Sequence, residues 1–221
     1  MIITEQKSFT EIMEAVGDVK SLFLIGCGDC ATLCKTGGED DLKEMTEKLA
    51  AEGIEVTGSA VVPATCHELD TKRVMRKHKE ETEKAEGFLV LTCGAGIQAV
   101  GDNTEKIAIS GCDSLFIGNS RRQLQYYEKC SACGNCVLNI TGGICPETRC
   151  PKGLLNGPCG GAVDGKCEVD GVNNCAWIEI YDRLKTLGRL ELLDAMVAYR
   201  DSRDSSKPRG MDKSSSDRGT K

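Results

Sequence analysis

Short, almost continuous apolar runs alternate with amphipathic segments over the N-terminal half of the chain. The runs are rich in Val, Ile, Leu and Phe, and they span residues 21–25, 55–62, 87–92 and 114–118. Runs of this length without polar alternation are typical of strands buried on both faces, as in a parallel sheet. Because helical patterns separate them, the sequence predicts an N-terminal α/β domain with a parallel sheet over residues 1–125.

Three helices are predicted around these strands. The first begins after Ser8, which has Glu11 at the spacing of a capping box. The second, within residues 39–53, places three apolar side chains on one face and ends at a glycine. The third, over residues 68–87, is strongly charged, and the basic residues near its start are typical of a solvated helix face.

The character of the sequence changes after residue 125. Residues 126–177 are rich in Gly, Pro, Asn and Cys and show almost no hydrophobic periodicity, so this segment cannot bury a core of ordinary size. We expect bound metal to replace that core in an irregular cysteine-rich module. A helical extension follows over residues 178–200, and the polar, Ser-rich tail over residues 201–221 is predicted to be disordered.

The chain holds fourteen cysteines and two histidines in 221 residues. Its first residues lack the long apolar stretch of a signal peptide, and no window approaches the ~18 apolar residues of a membrane span. We therefore expect a cytoplasmic protein without a membrane span, in which thiols bind metal rather than form disulfides. The net charge is −6 and the tail is the basic part of the chain, which argues against a nucleic-acid partner.

Eight cysteines fall between residues 130 and 175. Cys130, Cys133 and Cys136 have the C-x2-C-x2-C spacing that brings three thiolates of one loop to an iron-sulfur cluster, although the ferredoxin pattern is matched only in part. Five further cysteines follow: Cys145, Cys150, Cys159, Cys167 and Cys175. Eight thiolates are enough for two four-iron clusters. Zinc is the alternative, but it prefers paired C-x2-C knuckles, so iron-sulfur ligation is favoured while a mixed solution with one zinc stays open.

A second set of cysteines lies in the predicted α/β domain. Cys27, Cys30 and Cys34 follow the first predicted strand, at the carboxyl edge where open α/β sheets bind their ligands. A fourth thiolate is expected from a loop after another strand at the same edge. Cys93, which is followed by glycines that permit close backbone approach, is the first choice, and Cys66 is the second.

Other chemistry is sparse in the sequence. Cys112 fits no ligand spacing and is expected to be a plain buried thiol, while His67 is expected to lie at the surface or beside a ligand. No phosphate-binding loop, dinucleotide fingerprint or Ser/His/Asp set is present. A chain rich in soft ligands and poor in acid–base groups favours electron transfer over bond-making catalysis, so no catalytic residue is predicted.

The cysteine motifs of this chain resemble those of a known family. "CGDCATLC", "LTCGAGIQ", "CSACGNC", "CPKGLLNGPCGG" and "CAWIEIYDRLKTLGRL" are similar to segments of the small iron-sulfur subunit of acetogen-type methylenetetrahydrofolate reductase, the MetV type. The resemblance covers roughly residues 20–190. The C-terminal half resembles the domain called methylenetetrahydrofolate reductase C-terminal-like.

The resemblance implies an electron-transfer subunit for a flavin-containing partner that reduces methylenetetrahydrofolate to methyltetrahydrofolate in the methyl branch of the acetyl-CoA (Wood-Ljungdahl) pathway. FMN would be bound only by that partner, and ferredoxin or another electron-input subunit would supply electrons. The resemblance further implies two to three [4Fe-4S] clusters, held by Cys27, Cys30, Cys34, Cys93 and the eight cysteines from Cys130 to Cys175.

Two other functions stay open from the sequence. The first is a zinc-binding scaffold subunit of the same complex, without an electron-transfer role. The second is an independent methyl-transfer enzyme with a zinc-activated thiolate, which would need a substrate pocket that the sequence does not reveal. Metal content separates the first from the iron-sulfur hypothesis, because a zinc scaffold is colourless.

Overall fold

The computed structural model describes residues 1–198, 205 and 207–211. The chain forms two compact units, Met1–Glu128 and Lys129–Lys221. Its strands are β1 (Ile2–Gln6), β2 (Ser21–Cys27), β3 (Glu55–Val62), β4 (Gly87–Leu91), β5 (Ile107–Ser110), β6 (Cys112–Arg122) and β7 (Gln125–Cys130). Its helices are α1 (Phe9–Val16), α2 (Cys30–Cys34), α3 (Glu39–Ala51), α4 (Glu68–Lys77), α5 (Lys79–Lys84), α6 (Gly94–Gly101), α7 (Pro146–Arg149) and α8 (Ala176–Leu187).

Four strands form the predicted parallel sheet, in the order β3-β2-β4-β5. All seven residues of β2 and all five of β4 are buried, which is why their sequences are unbroken apolar runs. β3 is an edge strand and is only partly buried. The α/β class and the parallel sheet are therefore confirmed for the N-terminal unit.

The core of this unit lies on both faces of the parallel sheet. Successive side chains of a strand point to opposite faces, so alternate residues of β2 join different apolar clusters. Leu22 and Leu24 pack in the cluster that contains the buried residues of α1 and α3. Phe23 and Ile25 pack in the other cluster, with Phe88 of β4. Each fully buried side chain of this kind contributes about 1.5–3 kcal/mol to stability.

Residues 114–118 do not belong to the parallel sheet, and the prediction that they form a buried strand of it is wrong. They lie in β6, which runs antiparallel to β1 in a separate three-stranded sheet, β1-β6-β7. β6 is mostly exposed, and Leu115 is 49% exposed. The fourth parallel strand is β5, whose four residues make too short a run to stand out in the sequence. The chain changes sheets at Gly111, whose N–H donates to the Val90 carbonyl and whose carbonyl accepts from the Lys7 N–H.

The predicted helices are present with one difference. In the capping box of α1, the Glu11 N–H donates to Ser8 Oγ at 3.3 Å and the Ser8 N–H donates to the Glu11 carboxylate at 3.0 Å. α3 buries the three apolar residues that define its face. The single helix predicted over residues 68–87 is instead two helices, α4 and α5, which meet at His78. At this break the His78 ring packs on Phe23, with ring centroids 5.7 Å apart.

The C-terminal unit has little regular structure. Within its described residues the helices are the four-residue α7, the twelve-residue α8 and a 3-10 helix over Leu190–Asp194. Trp177, Ile180 and Leu184 of α8 form a small buried cluster. The Trp177 indole N–H donates to the Leu154 carbonyl at 2.9 Å. This cluster is much smaller than the two of the N-terminal unit, as the polar, Gly-rich sequence of the segment leads one to expect.

Two further predictions concern a membrane-spanning helix and the C-terminal tail. In the part of the chain that is described, no helix has both the length and the apolar character needed to cross a membrane. The predicted disordered tail, residues 201–221, lies outside the described residues except for 205 and 207–211.

Candidate metal centres

Three loops meet at the carboxyl edge of the parallel sheet. β2 lies between β3 and β4, so the segments that follow these three strands are neighbours. Cys27 is the last residue of β2 and pairs with Val62, the last residue of β3. Cys66 follows Val62 by four residues, and Cys93 is the N-cap of α6, two residues after β4 ends. Cys30 is the first residue of α2, in the segment that follows β2.

Two buried threonines hold the loop that carries Cys66. The Thr65 hydroxyl donates to the carbonyl of Gly26, next to Cys27, at 3.0 Å. The Thr71 hydroxyl in turn donates to the Thr65 carbonyl at 2.8 Å. Both threonines are fully buried, so these bonds are shielded from competition with water. The loop is therefore fixed against the end of β2.

Close backbone packing explains the glycines near α2. A Cβ atom at Gly37 would lie 1.8 Å from the Leu91 carbonyl oxygen, and one at Gly26 would lie 2.3 Å from the Gly37 carbonyl oxygen. The Gly37 carbonyl also accepts a hydrogen bond from the Cys27 N–H at 2.9 Å. The segment after α2 therefore crosses the ends of β2 and β4 at a distance that leaves no room for side chains at these positions.

Two thiols at this edge, those of Cys30 and Cys66, have raised pKa values. Burial raises the pKa of Cys30; the Ile2 N–H bond to its sulfur opposes this, and nearby negative charges, among them those of Cys93 and Cys27, raise it further. Cys66 reaches solvent, yet partial burial also raises its pKa, and the charges of Cys93 and Cys27 add to that effect.

Cys34 lies one helical turn after Cys30 in α2 and is 6% exposed. Its sulfur faces the Ile2 carbonyl oxygen at 3.9 Å, whereas the Cys30 sulfur accepts a hydrogen bond from the Ile2 N–H at 3.3 Å. Tyr126 of β7 is also close, since its hydroxyl donates to the carbonyl of Leu33, the residue before Cys34, at 2.7 Å. Burial and then the Cys34 thiol raise the pKa of its phenol. The structure therefore places Cys34 against the strands of the antiparallel sheet.

Cys112 and His67 have ordinary structural contacts. The buried Cys112 thiol donates to the Thr36 carbonyl at 3.4 Å. Burial raises the pKa of Cys112 to about 12, so the thiol stays protonated at neutral pH. His67 lies at the start of α4 and pairs with the Asp70 carboxylate at 2.9 Å on the surface. These contacts give Cys112 a packing role and His67 a surface role.

Four cysteines of the C-terminal unit line one small cavity of about 20 Å³. They are Cys150, Cys159, Cys167 and Cys175. Cys150 is the C-cap of α7 and Cys175 is the N-cap of α8. Two backbone bonds of 2.8 Å bring Cys167 and Cys175 together, since the Cys167 N–H donates to the Asn173 carbonyl and the Cys175 N–H donates to the Gly165 carbonyl. Residues that are 25 positions apart in the sequence thus share one site.

A charged pair lies at this cavity. The Cys159 thiol donates to the Glu168 carboxylate at 3.2 Å, and the Lys152 ammonium forms an ion pair with the same carboxylate. The hydrogen bond between Lys152 and Glu168 raises the pKa of Lys152 and lowers the pKa of Glu168, and the bond from Cys159 lowers the pKa of Glu168 further. Both side chains reach solvent, so the pair adds little to stability. Its consequence is local: a carboxylate occupies the place beside the Cys159 sulfur.

The remaining candidates lie at the end of β7 and before α7. They are Cys130, Cys133, Cys136 and Cys145, all of them half-buried or exposed. The Ala132 N–H donates to the Cys130 sulfur at 3.3 Å. Ala132 and Gly134 have φ values of 53° and 86°, so two left-handed residues turn the chain between the first three thiols. Cys145 is the N-cap of α7, the helix that ends at Cys150.

All fourteen cysteines, which lie within residues 1–198, carry free thiols. Across the described residues, no group of three or more His, Cys, Asp or Glu side chains is arranged to hold a metal ion. The cysteines at the sheet edge are thus grouped only by their neighbouring loops, and Cys150, Cys159, Cys167 and Cys175 are grouped only by the cavity that they line. The coordination geometry of a metal site is not formed in either group.

The residues that support Cys66 were not identified from the sequence. Thr65 and Thr71 are ordinary polar residues there, and their role depends on burial that only packing creates. The orientation of Cys34 depends on contact with β1, a strand that the apolar pattern did not predict. The adjacent apolar residues Ile2 and Ile3 are the signal that could have revealed that strand.

Residues 109–203 match a family model described as the C terminal of methylene-tetrahydrofolate reductase. The matched segment begins in β5 and includes Cys112 and all eight cysteines from Cys130 to Cys175. No curated protein and no solved structure matches the chain. The match supports the resemblance at the level of the family for this part of the chain, and it is consistent with association with that enzyme.

Proposed function

We propose that this chain, with its segment from the methylenetetrahydrofolate reductase C-terminal family, is the iron-sulfur electron-transfer subunit of such a reductase. It delivers electrons to the flavin of a partner catalytic subunit, which reduces methylenetetrahydrofolate to methyltetrahydrofolate in the methyl branch of the acetyl-CoA pathway. One observation carries the proposal: four thiols line a single cavity within the family-matched segment. Convergent cysteine thiolates are the ligands that four-iron clusters require.

The donor chemistry of the chain fits iron-sulfur clusters. The candidate ligands are thiols, and soft thiolates select iron-sulfur clusters or zinc over hard cations. Backbone N–H groups already donate to cysteine sulfurs in three places: Ile2 to Cys30 and Ala132 to Cys130 at 3.3 Å, and Gly161 to Cys159 at 3.5 Å. Such N–H···S bonds orient a thiolate and shift the reduction potential of the cluster that it binds.

A cysteine thiol must lose its proton when it binds metal. Burial raises the pKa of Cys30 and Cys66, so these thiols keep their protons at neutral pH until metal displaces them. In the C-terminal unit, the backbone bonds of Cys167 and Cys175 fix two of the four thiols before metal arrives. A bound cluster supplies one-electron uptake and release.

The complete proposal includes two to three [4Fe-4S] clusters in a cytoplasmic protein. The eight cysteines from Cys130 to Cys175 hold up to two of them, and the thiols at the sheet edge hold another. Ferredoxin or another electron-input subunit supplies the electrons, and FMN is bound by the partner subunit alone. The chain itself has no catalytic residue in this proposal.

A second candidate function is a zinc-binding scaffold for the same partner. The observation in its favour is the size of the cavity that the four thiols line, which at about 20 Å³ has room for about one water molecule. A single ion fits such a space with less movement of the surrounding loops than a four-iron cube. Zinc bound by four thiolates would hold the unit together without carrying electrons.

Metal analysis of the full-length chain separates the two functions. The chain is produced and purified without oxygen, and iron, sulfide and zinc are measured per chain, followed by EPR of the dithionite-reduced protein. Two to three clusters predict about 8–12 iron atoms with matching sulfide and a reduced-cluster EPR signal. A colourless protein with stoichiometric zinc and less than about four iron atoms per chain would overturn the electron-transfer proposal in favour of the scaffold.

A further inference from the structure

Five cysteines lie at or near the carboxyl edge of the parallel sheet, but a four-iron cluster takes four thiolates. The five are Cys27, Cys30, Cys34, Cys66 and Cys93. Spacing along the chain groups Cys34 with Cys27 and Cys30. The contacts of the sulfur atoms in the folded chain favour a different set.

The Cys34 sulfur occupies the place of a hydrogen-bond donor. It faces the Ile2 carbonyl oxygen at 3.9 Å and is nearly excluded from solvent. A thiolate there would have no proton to donate and would face the negative end of the carbonyl dipole, which is unfavourable in a buried place. The Cys30 sulfur differs, because it accepts a hydrogen bond from the Ile2 N–H at 3.3 Å, and this contact stabilises a thiolate.

Cys66 is placed by its neighbour Thr65, which contacts the two loops beside it. On one flank, the Thr65 hydroxyl donates to the Gly26 carbonyl at the end of β2. On the other flank, Thr65 Cβ lies 3.2 Å from the position that a Cβ at Gly96 would take. Gly96 belongs to the first turn of α6, whose N-cap is Cys93. Cys66 therefore follows a residue that is fixed against both the β2 end and the α6 start.

We infer that Cys66 is the fourth ligand of the N-terminal centre, together with Cys27, Cys30 and Cys93, and that Cys34 is a packing residue. The four thiols release their protons to solvent as they bind metal. The inference rests on the proposed function only in that a metal centre forms at this edge of the sheet.

Two matched variants of the full-length chain, Cys66→Ser and Cys34→Ser, test this ligand set. Both replace one sulfur by oxygen in neighbouring segments of the same unit, and both are isolated without oxygen beside the unchanged chain. Cys66→Ser should lose about four iron atoms per chain, or about one if a three-iron cluster remains, with a corresponding change in the EPR spectrum. Cys34→Ser should keep the iron content and the EPR spectrum of the unchanged chain. Far-UV circular dichroism checks that both variants are folded.

Alkylation gives a second readout that does not depend on serine variants. In the metal-loaded chain Cys66 should resist iodoacetamide although its side chain is exposed, and a chelator should restore its reaction. Cys34 should be slow to react in both states because it is buried. Peptide mass spectrometry locates the modified residue. Equal labelling of Cys66 with and without metal would contradict its role as a ligand.

The possible results distinguish this inference from the proposed function. Loss of iron in Cys34→Ser, alone or together with Cys66→Ser, overturns the assigned ligand set, and so does full retention of iron in both variants. If the unchanged chain holds zinc in place of iron, the electron-transfer proposal fails, but zinc loss confined to Cys66→Ser still supports the ligand set. A chain that binds neither metal at this edge overturns the ligand set, whereas the electron-transfer proposal then depends on the iron bound by the C-terminal unit.

Discussion

Gly37→Ala tests whether close packing on the carboxyl edge of the sheet holds the N-terminal unit together. The new Cβ atom would lie 1.8 Å from the Leu91 carbonyl oxygen and 3.1 Å from the Cβ of Ala31. Neither neighbour can move away easily, because Leu91 is the last residue of the central strand β4 and both residues are fully buried. The segment after α2 must therefore shift, which weakens the 2.9 Å bond from the Cys27 N–H to the Gly37 carbonyl.

The expected effect of Gly37→Ala follows from these two changes. Overpacking of a buried site costs about 1–3 kcal/mol, and loss of a backbone hydrogen bond costs about 1 kcal/mol. We therefore expect the free energy of unfolding to fall by about 2–4 kcal/mol. Gly101→Ala is the matched control, since it makes the same change at the end of α6, where no atom lies within 4 Å of the new Cβ. Helix propensity predicts a change between zero and a gain of about 1 kcal/mol for this control.

Urea unfolding followed by far-UV circular dichroism measures both variants against the unchanged chain. The N-terminal unit contains six of the eight α-helices found among the described residues, so it dominates this signal. The m-value should stay the same while the midpoint of Gly37→Ala falls. A loss below about 1 kcal/mol, or a loss equal to that of Gly101→Ala, would refute the steric argument.

Three further predictions concern the core, a buried thiol and the C-terminal unit. Leu24→Ala removes a fully buried side chain and should lower the free energy of unfolding by about 2–5 kcal/mol. Leu69→Ala, at a side chain that is 64% exposed, should change it by less than about 0.5 kcal/mol. Urea unfolding measures both variants, and equal effects would contradict the assigned core. Burial raises the pKa of Cys112 from 9.0 to about 12, so the folded state binds more protons than the unfolded state between these values, and stability should fall as the pH rises above about 9. Thermal melts of the unchanged chain and of Cys112→Ala should show that the variant loses less stability with rising pH, and parallel curves would argue against a buried thiol. Trp177→Phe keeps an aromatic ring but leaves the Leu154 carbonyl without its donor. This change should lower the free energy of unfolding of the C-terminal unit by about 1–3 kcal/mol. Calorimetry of the metal-loaded chain measures the effect, and an unchanged Tm would show that the hydrogen bond adds nothing to stability.

The parallel sheet was predictable because its burial is recorded in the sequence. A strand covered on both faces needs apolar residues at successive positions, and β2 and β4 have them without interruption. The capping box of α1 was predictable because its partners are three residues apart and lie within one turn. The antiparallel sheet was not, because the exposed β6 carries an apolar segment that is also compatible with a buried strand.

The separation of α4 from α5 shows a similar limit. The charged sequence from residue 68 to residue 87 has helical propensity throughout, and no glycine or proline interrupts it before the end. The break at His78 coincides with packing of its ring on Phe23, which belongs to a strand more than fifty residues earlier. A tertiary contact of this kind cannot be predicted from the helix propensities of the residues around it.

By itself, the sequence determined that β2 and β4 are buried, where several helices begin and which cysteines are candidates for metal, because apolar periodicity and loop spacing are properties of neighbouring residues. Only the tertiary structure decided which thiols meet. Cys150 and Cys175 share a cavity although 25 residues separate them. The sulfurs of Cys30 and Cys34, four residues apart, face the N–H and the carbonyl oxygen of Ile2. The physical reason is that a thiol's partners are set by the order of strands and by the direction in which a helix face is buried, and both depend on contacts between residues that are distant in the chain.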